Sequence, residues 1–453
     1  MPRNTTPTGR ETDMIPTNMS ALDRFFGLRD QGTTIATEVR AGMVTFLTMS
    51  YILFVNPQIL SGAGLPAEDV AVATALAAAV ATLAMGLFAN YPFALAPGMG
   101  LNAYFTFGVV GALGIPWQVA LAAVFVEGLL FLALAATGIR AALLRAIPTS
   151  IKIATMSGIG LFLAIIGFVG AGLTVKHPAT LLTLGDMRSP ALLLSLAGLL
   201  VMAALLAARV KGAILIGILG VTVICWLSGI SAPPQQLFTV PHLPTETFLA
   251  LDFSGLLTGK LLVVVLAFLF VDIFDTAGTL IGVGQLGGFV DDKGELPRAN
   301  RAFVADAVGT MVGAAVGTST VTSYVESATG VEEGGRTGLT SVVVGILFLL
   351  SLAFTPLFTA VPVVATAPAL IVVGALMMKG ARDLDWSQID EAVPAFLTVA
   401  AMPFTYSIAN GISLGIVSYV LIKMLRGRFR EVHPVMYILA FLLILFYAFR
   451  PGG

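Results

Sequence analysis

Charge is scarce in this chain. Only 11% of its 453 residues are Asp, Glu, Lys or Arg, against about 25% in soluble domains. So few charges cannot cover the surface of a water-soluble globule of this length. Cysteine is nearly absent: Cys225 stands alone, which excludes an internal disulfide and any cysteine-built metal centre. The three histidines, His177, His242 and His433, lie far apart and lack the spacing of a zinc motif. The formal net charge of −1 leaves no basic footprint, so nucleic acid is not an expected partner. No acid dyad, metal motif or activated nucleophile marks an enzyme, and no cofactor is expected.

What the chain has instead is apolar sequence, 57% by composition. Apolar runs recur from Ala41 almost to the C-terminus, and about 20 such residues cross the roughly 30 Å of a bilayer's hydrocarbon. The expected fold is an all-α polytopic membrane protein with about fourteen spans. They are 41–61, 70–90, 93–110, 116–137, 150–173, 190–208, 212–230, 260–286, 300–317, 318–331, 338–358, 362–379, 392–407 and 409–426. Basic residues after the even-numbered spans (Arg140 and Arg145, Arg209 and Lys211, Lys293, Arg298 and Arg301, Arg336, Lys379 and Arg382, Lys423 to Arg430) all fall on one side if both ends are cytoplasmic. Residues 1–36 read as a polar cytoplasmic tail with no cleavable signal. Residues 434–449 are apolar, and their placement between the interface and a membrane dip stays open.

The Pro- and Thr-rich stretch 231–259 divides the spans into a first repeat, 37–230, and a second, 260–435, with an apolar segment, 436–453, behind them. An odd number of spans per half inserts the second half upside down, as in inverted-repeat transporters. The third span of each half is interrupted. Span 93–110 opens with Pro92, Pro97, Gly98 and Gly100, and span 318–331 is short and preceded by Gly309, Gly313 and Gly317. Broken segments at matching positions point to a solute site near the midplane, since irregular backbone at that depth must line protein or a cavity.

Ionisable residues inside the spans are few: Glu127, Lys152, Asp272, Asp275, Asp306 and Glu326. Each costs about 2.5–3.5 kcal/mol to insert at the bilayer centre. Asp275 and Glu326, on neighbouring elements, form a pair of acceptors for a solute with N–H donors, and a carboxylate in a dry cavity also takes up and releases protons. Asp272 shares a helical face with Asp275 and reads as structural or as a proton carrier. Glu127 and Lys152 read as a mutual ion pair or as interfacial groups, and Asp306 as a helix-terminal charge. Asn102 either contacts the solute or satisfies backbone groups freed by the break. The run Gly282 to Gly287 matches a dinucleotide glycine pattern, but a membrane helix rather than a strand precedes it, so it reads as helix packing.

Several long stretches carry a family resemblance: Glu38 to Pro57, Ala96 to Phe105, the segments around Asp275 and Glu326, and Met402 to Gly411. Across about Thr37 to Val435 the chain resembles the AzgA-type nucleobase permeases, the purine branch related to the xanthine/uracil permeases. The resemblance implies two inverted seven-helix repeats forming core and gate domains, with short strands in the broken third and tenth spans. It implies a homodimer through the gate domains in the plasma membrane. It also implies import of purine nucleobases (guanine, hypoxanthine or adenine) by proton symport. Sodium coupling is one alternative. An anion transporter of the same architecture is another, disfavoured by the acidic midplane. Asp275 and Glu326 take the place of the family's substrate acids, and Asn102 of its polar residue in the third span. Thr276, Thr279, Ser323, Tyr324 and Phe105 join them by adjacency. Asp275, Glu326 and Asp272 are the expected proton carriers.

Overall fold

The computed structural model describes residues 20–137, 146–255, 258–291 and 296–448. The tail before residue 20, the basic residues Arg140, Arg145 and Lys293, and the last five residues of the C-terminal segment lie outside them. A short helix, α1 (Ala21–Phe26), precedes the first long pair, α2 (Ile35–Met49) and α3 (Ile52–Ser61). Then come α4 (Ala67–Ala84), strand β1 (Leu95–Pro97), α5 (Met99–Ala103) and α6 (Trp117–Thr137). Next are α7 (Thr149–Gly170), a hairpin of β2 (Thr174–His177) and β3 (Leu181–Leu184), α8 (Pro190–Ala207) and α9 (Ala213–Leu227). The second half holds α10 (Gly259–Gly287), α11 (Ala299–Val316), β4 (Val321–Ser323), α12 (Ser327–Glu332) and α13 (Gly338–Ser351). It closes with α14 (Thr355–Ala360), α15 (Val363–Met377), α16 (Ile389–Thr405), α17 (Ile408–Leu425) and α18 (Pro434–Ala448).

The protein is a multi-pass membrane protein. Among the described residues nine helices are long and apolar enough to cross a bilayer, and α9 and α18 are shorter apolar helices. The first span begins at Ile35 rather than 41, because the Thr34 hydroxyl accepts the Thr37 N–H at 3.2 Å and caps α2 early. The segment 318–331 is not a through-going helix: it is β4 followed by the single-turn α12. Residues left unplaced by composition, 434–448, form one helix packed on α17. The glycines of 282–287 sit in the last turns of α10, and Gly284 and Gly287 are packed by Val290, Leu296 and Phe289 of the following loop, not by another helix.

The two broken spans meet. β1 and β4 pair antiparallel, with Leu95 opposite Ser323, Ala96 opposite Thr322 and Pro97 opposite Val321. Gly98 N–H to Thr320 O at 3.0 Å and Tyr324 N–H to Ala94 O at 2.9 Å extend the ladder. A two-stranded ladder leaves one outer edge on each strand, and unpaired backbone groups cannot stay bare at this depth. A threonine from the neighbouring helix closes each edge. Thr82 of α4 donates to Leu95 O and accepts Leu95 N–H, both at 2.9 Å. Thr310 of α11 donates to Val321 O at 2.9 Å and accepts Val321 N–H at 3.2 Å. The same device at matching places in the two halves is the inverted repeat expressed in hydrogen bonds. Small residues permit the approach: a Cβ on Gly309 would stand 2.6 Å from the Ala81 Cβ.

Glu38, buried near the start of α2, holds the two halves together elsewhere. Its carboxylate accepts Arg336 N–H at 2.8 Å, Thr337 N–H at 3.3 Å, Thr340 N–H at 3.2 Å and the Thr340 hydroxyl at 2.6 Å. It therefore satisfies the otherwise orphaned amides at the N-terminus of α13, where a negative charge is also favoured. Glu38→Ala leaves those donors buried without an acceptor and is expected to destabilise the fold by on the order of 3 kcal/mol. A thermal or denaturant melt of the purified protein in detergent measures this; an unchanged midpoint contradicts the assignment.

Candidate functional site

The site grows from the strand break. After β4 the chain turns at Tyr324, Val325 and Glu326 before α12 begins. Val325 is 63% exposed and Glu326 half-buried, so this turn faces an opening within an otherwise buried region. Across from it, α10 presents Asp275 and Thr279, both half-buried, with Gly278 exposed between them. The Asp275 and Glu326 carboxylates are near enough to interact electrostatically. The two acids singled out from the sequence therefore converge. Cavities of about 180, 230 and 270 Å³ lie elsewhere, and neither acid lines any of them.

Glu326 has a fixed orientation. The buried hydroxyl of Tyr51, between α2 and α3, donates to its Oε1 at 2.6 Å, a charge-assisted bond. Tyr51 was not among the residues expected at the site, although it lies inside the Glu38 to Pro57 stretch. Its signal in the sequence is a lone tyrosine at a helix interruption. Phe274, directly before Asp275, is buried and stacks on Phe270, centroids 6.2 Å apart and planes at 16°. Phe105 is fully buried in the core cluster.

Several expected contacts turn inward. The Thr276 hydroxyl donates to Asp306 Oδ2 at 3.0 Å and lies 2.9 Å from the Thr322 hydroxyl. Ser323 donates to Asp306 Oδ1 at 3.3 Å, and the Tyr324 hydroxyl donates to Pro97 O at 2.6 Å. All three residues are buried, so their hydroxyls are engaged inside the protein and do not face the opening. The reason is the strand pairing, which places this side of β4 against α10 and α11. Asp306 is likewise no helix-terminal charge: it sits mid-way along α11, fully buried, and accepts from both neighbours. Asn102 is fully buried at the other break; its Oδ1 accepts a short bond from Ser319, while its Nδ2 has no partner. Glu127 does not pair with Lys152. Among the described residues its carboxylate has no basic partner, and it lies against Asp272, because α6 packs on α10 and α11.

Residues 36–414 match the model of a permease family. The chain is 44% identical over 431 residues to adenine permease AdeP of Escherichia coli, covering 94% of this chain and 95% of that protein. It is 44% identical over 424 residues to guanine/hypoxanthine permease PbuO of Bacillus subtilis, covering 92% of this chain and 98% of that one. Among solved structures, the transmembrane domain of a cyanobacterial bicarbonate transporter, BicA, superposes with a TM-score of 0.64 at 15% identity, over 83% of this chain and 97% of that domain. That likeness gives the fold: two inverted repeats of seven segments.

The two faces of α10 carry different burdens, and this is measurable. Thr276→Val removes a buried donor to Asp306 and is expected to lower stability by about 1–3 kcal/mol. Asp275→Asn, at the opening, should change it by less than about 0.5 kcal/mol. Equal losses in paired melts of the two variants would contradict this division.

Proposed function

Since the chain belongs to the permease family, we propose that it imports purine nucleobases, holding the base between Asp275 and Glu326. It is a transporter and not an enzyme. The carrying observation is the convergence of these two carboxylates at the strand break, one of them oriented by Tyr51. A purine base is flat and uncharged, and its N–H edges suit carboxylate acceptors. Asp275 and Glu326 supply acceptors from two different elements, so a base that bridges them links α10 to α12. Thr279 borders the same opening. Phe274 and Phe105 are the aromatic side chains assigned to the ring faces of the base. Asn102, Thr276, Ser323 and Tyr324 act from behind, keeping the two breaks paired.

The names of the relatives support this substrate class, adenine for one and guanine/hypoxanthine for another. The bicarbonate transporter shares the fold alone. Acids at the opening repel an anion, so the anion-transporter reading is the weaker one.

In this reading transport is proton symport by alternating access, with Asp275, Glu326 and Asp272 as carriers of exchangeable protons. Residues 37–230 and 260–435 form the repeats, 231–259 the linker and 436–453 a peripheral segment. The chain works as a homodimer in the plasma membrane with its N-terminus in the cytoplasm. Lys211 and Arg40, which both meet Glu333, fit that orientation under the positive-inside rule.

Uptake of labelled hypoxanthine into intact cells tests the proposal. Asp275→Asn and Glu326→Gln should each reduce accumulation at least about 100-fold, since each leaves a donor of the base without its charged acceptor. Tyr51→Phe should raise KM by roughly 5–30-fold, the loss of one bond to a charged group. A protonophore should collapse uptake and sodium removal should not. Uptake near the wild-type level in both acid variants would remove the site, and collapse on sodium removal alone would replace the coupling ion.

A further inference from the structure

Three fully buried acids stand behind the opening: Glu127 on α6, Asp272 on α10 and Asp306 on α11. They are not equivalent. Asp306 accepts from Thr276 and from Ser323, so its charge is compensated by fixed dipoles. Glu127 and Asp272 face one another at close range, and among the described residues no basic side chain pairs with either carboxyl group. The fully buried Thr320 hydroxyl also faces Glu127. The charged groups around the pair are Asp306 from α11 and Asp275 from α10 itself, both acidic.

Two carboxylates in contact, out of water and flanked by further acids, cannot both be ionised. Among the described residues no base forms an ion pair there. A metal ion is the other remedy, but among the described residues no group of three or more acids or histidines is arranged to hold one. A single proton between the two carboxyls removes one charge and makes one strong hydrogen bond, which satisfies the pair as a unit.

We propose that Glu127 and Asp272 together hold the coupling proton, at a site separate from the base between Asp275 and Glu326. This rests on the proton-coupled reading above; it keeps Asp272 as a carrier, moves that role away from Asp275 and Glu326, and adds Glu127, which that reading does not use. Asp272 lies three residues before Asp275 on the same helix, so the charge state at the base site is felt at the pair. The pair rests with one shared proton; a second proton enters it from the outer side with each base and leaves to the cytoplasm, restoring the singly protonated pair. Thr320, directly before β4, ties the pair to the strand break.

The test uses purified protein in liposomes. An inside-alkaline gradient of one pH unit sustains about tenfold accumulation of base if one proton moves with each base. Glu127→Gln should keep wild-type counterflow of labelled hypoxanthine, which needs no net proton, while accumulation falls from about tenfold to about onefold. Tenfold accumulation by Glu127→Gln would overturn the assignment. If that variant fails to fold, infrared spectroscopy of the wild type decides: a protonated-carboxyl band is expected that Asp272→Asn removes, and its absence from the wild type overturns the proposal. Loss of hypoxanthine counterflow in the wild type would instead refute the substrate, and accumulation driven only by sodium would refute proton coupling, each distinguishable from failure of the pair.

Discussion

The pairing of β1 with β4 is the interaction on which the rest depends. Two spans stop being helical at the same depth, and each then exposes backbone N–H and C=O groups that lipid cannot satisfy. The strands satisfy one another along their inner edges, and Thr82 and Thr310 satisfy the outer ones. This arrangement fixes the distance between the halves of the protein at one place. It also leaves a turn after β4 that carries Val325 and Glu326 to the opening, while Tyr324 stays tied to Pro97.

From that turn the chemistry sorts itself by hydrogen bonding. Glu326 is aimed by Tyr51, and Asp275 meets it from α10 at the opening. One layer further in, Asp306 accepts from two hydroxyls, which solvate its carboxylate. Beside it, Glu127 and Asp272 face each other, with the Thr320 hydroxyl on Glu127 and no basic partner among the described residues. Four kinds of carboxylate environment thus occur within a few turns of three helices, and the donors around each acid separate substrate contact, structural support and proton storage.

Much of this was legible in the sequence because membrane insertion acts on composition directly. The shortage of charge, the two interrupted spans and the rarity of buried acids all follow from the cost of polar groups in hydrocarbon. Hence Asp275 and Glu326 stood out, and the repeat could be inferred. What stayed hidden were contacts between distant residues. Tyr51 and Glu326 are 275 positions apart. Glu38 reaches the start of α13 across a similar span, and the Glu127–Asp272 contact joins two repeats. Thr276, Ser323 and Tyr324 were placed at the opening by adjacency to the acids, but helical and strand geometry turn neighbours to opposite sides. The hairpin β2–β3 left no clear period in so short a stretch, and α18 was too short and too apolar to place by length alone.

The most direct test of the account is a structure of the purified protein with hypoxanthine bound. The base should lie between Asp275 and Glu326, within hydrogen-bonding distance of both carboxylates, with the Tyr51 hydroxyl still on Glu326. Hypoxanthine seated away from these acids, for instance in the cavity lined by Gln58, Thr366 and Tyr406, would contradict it.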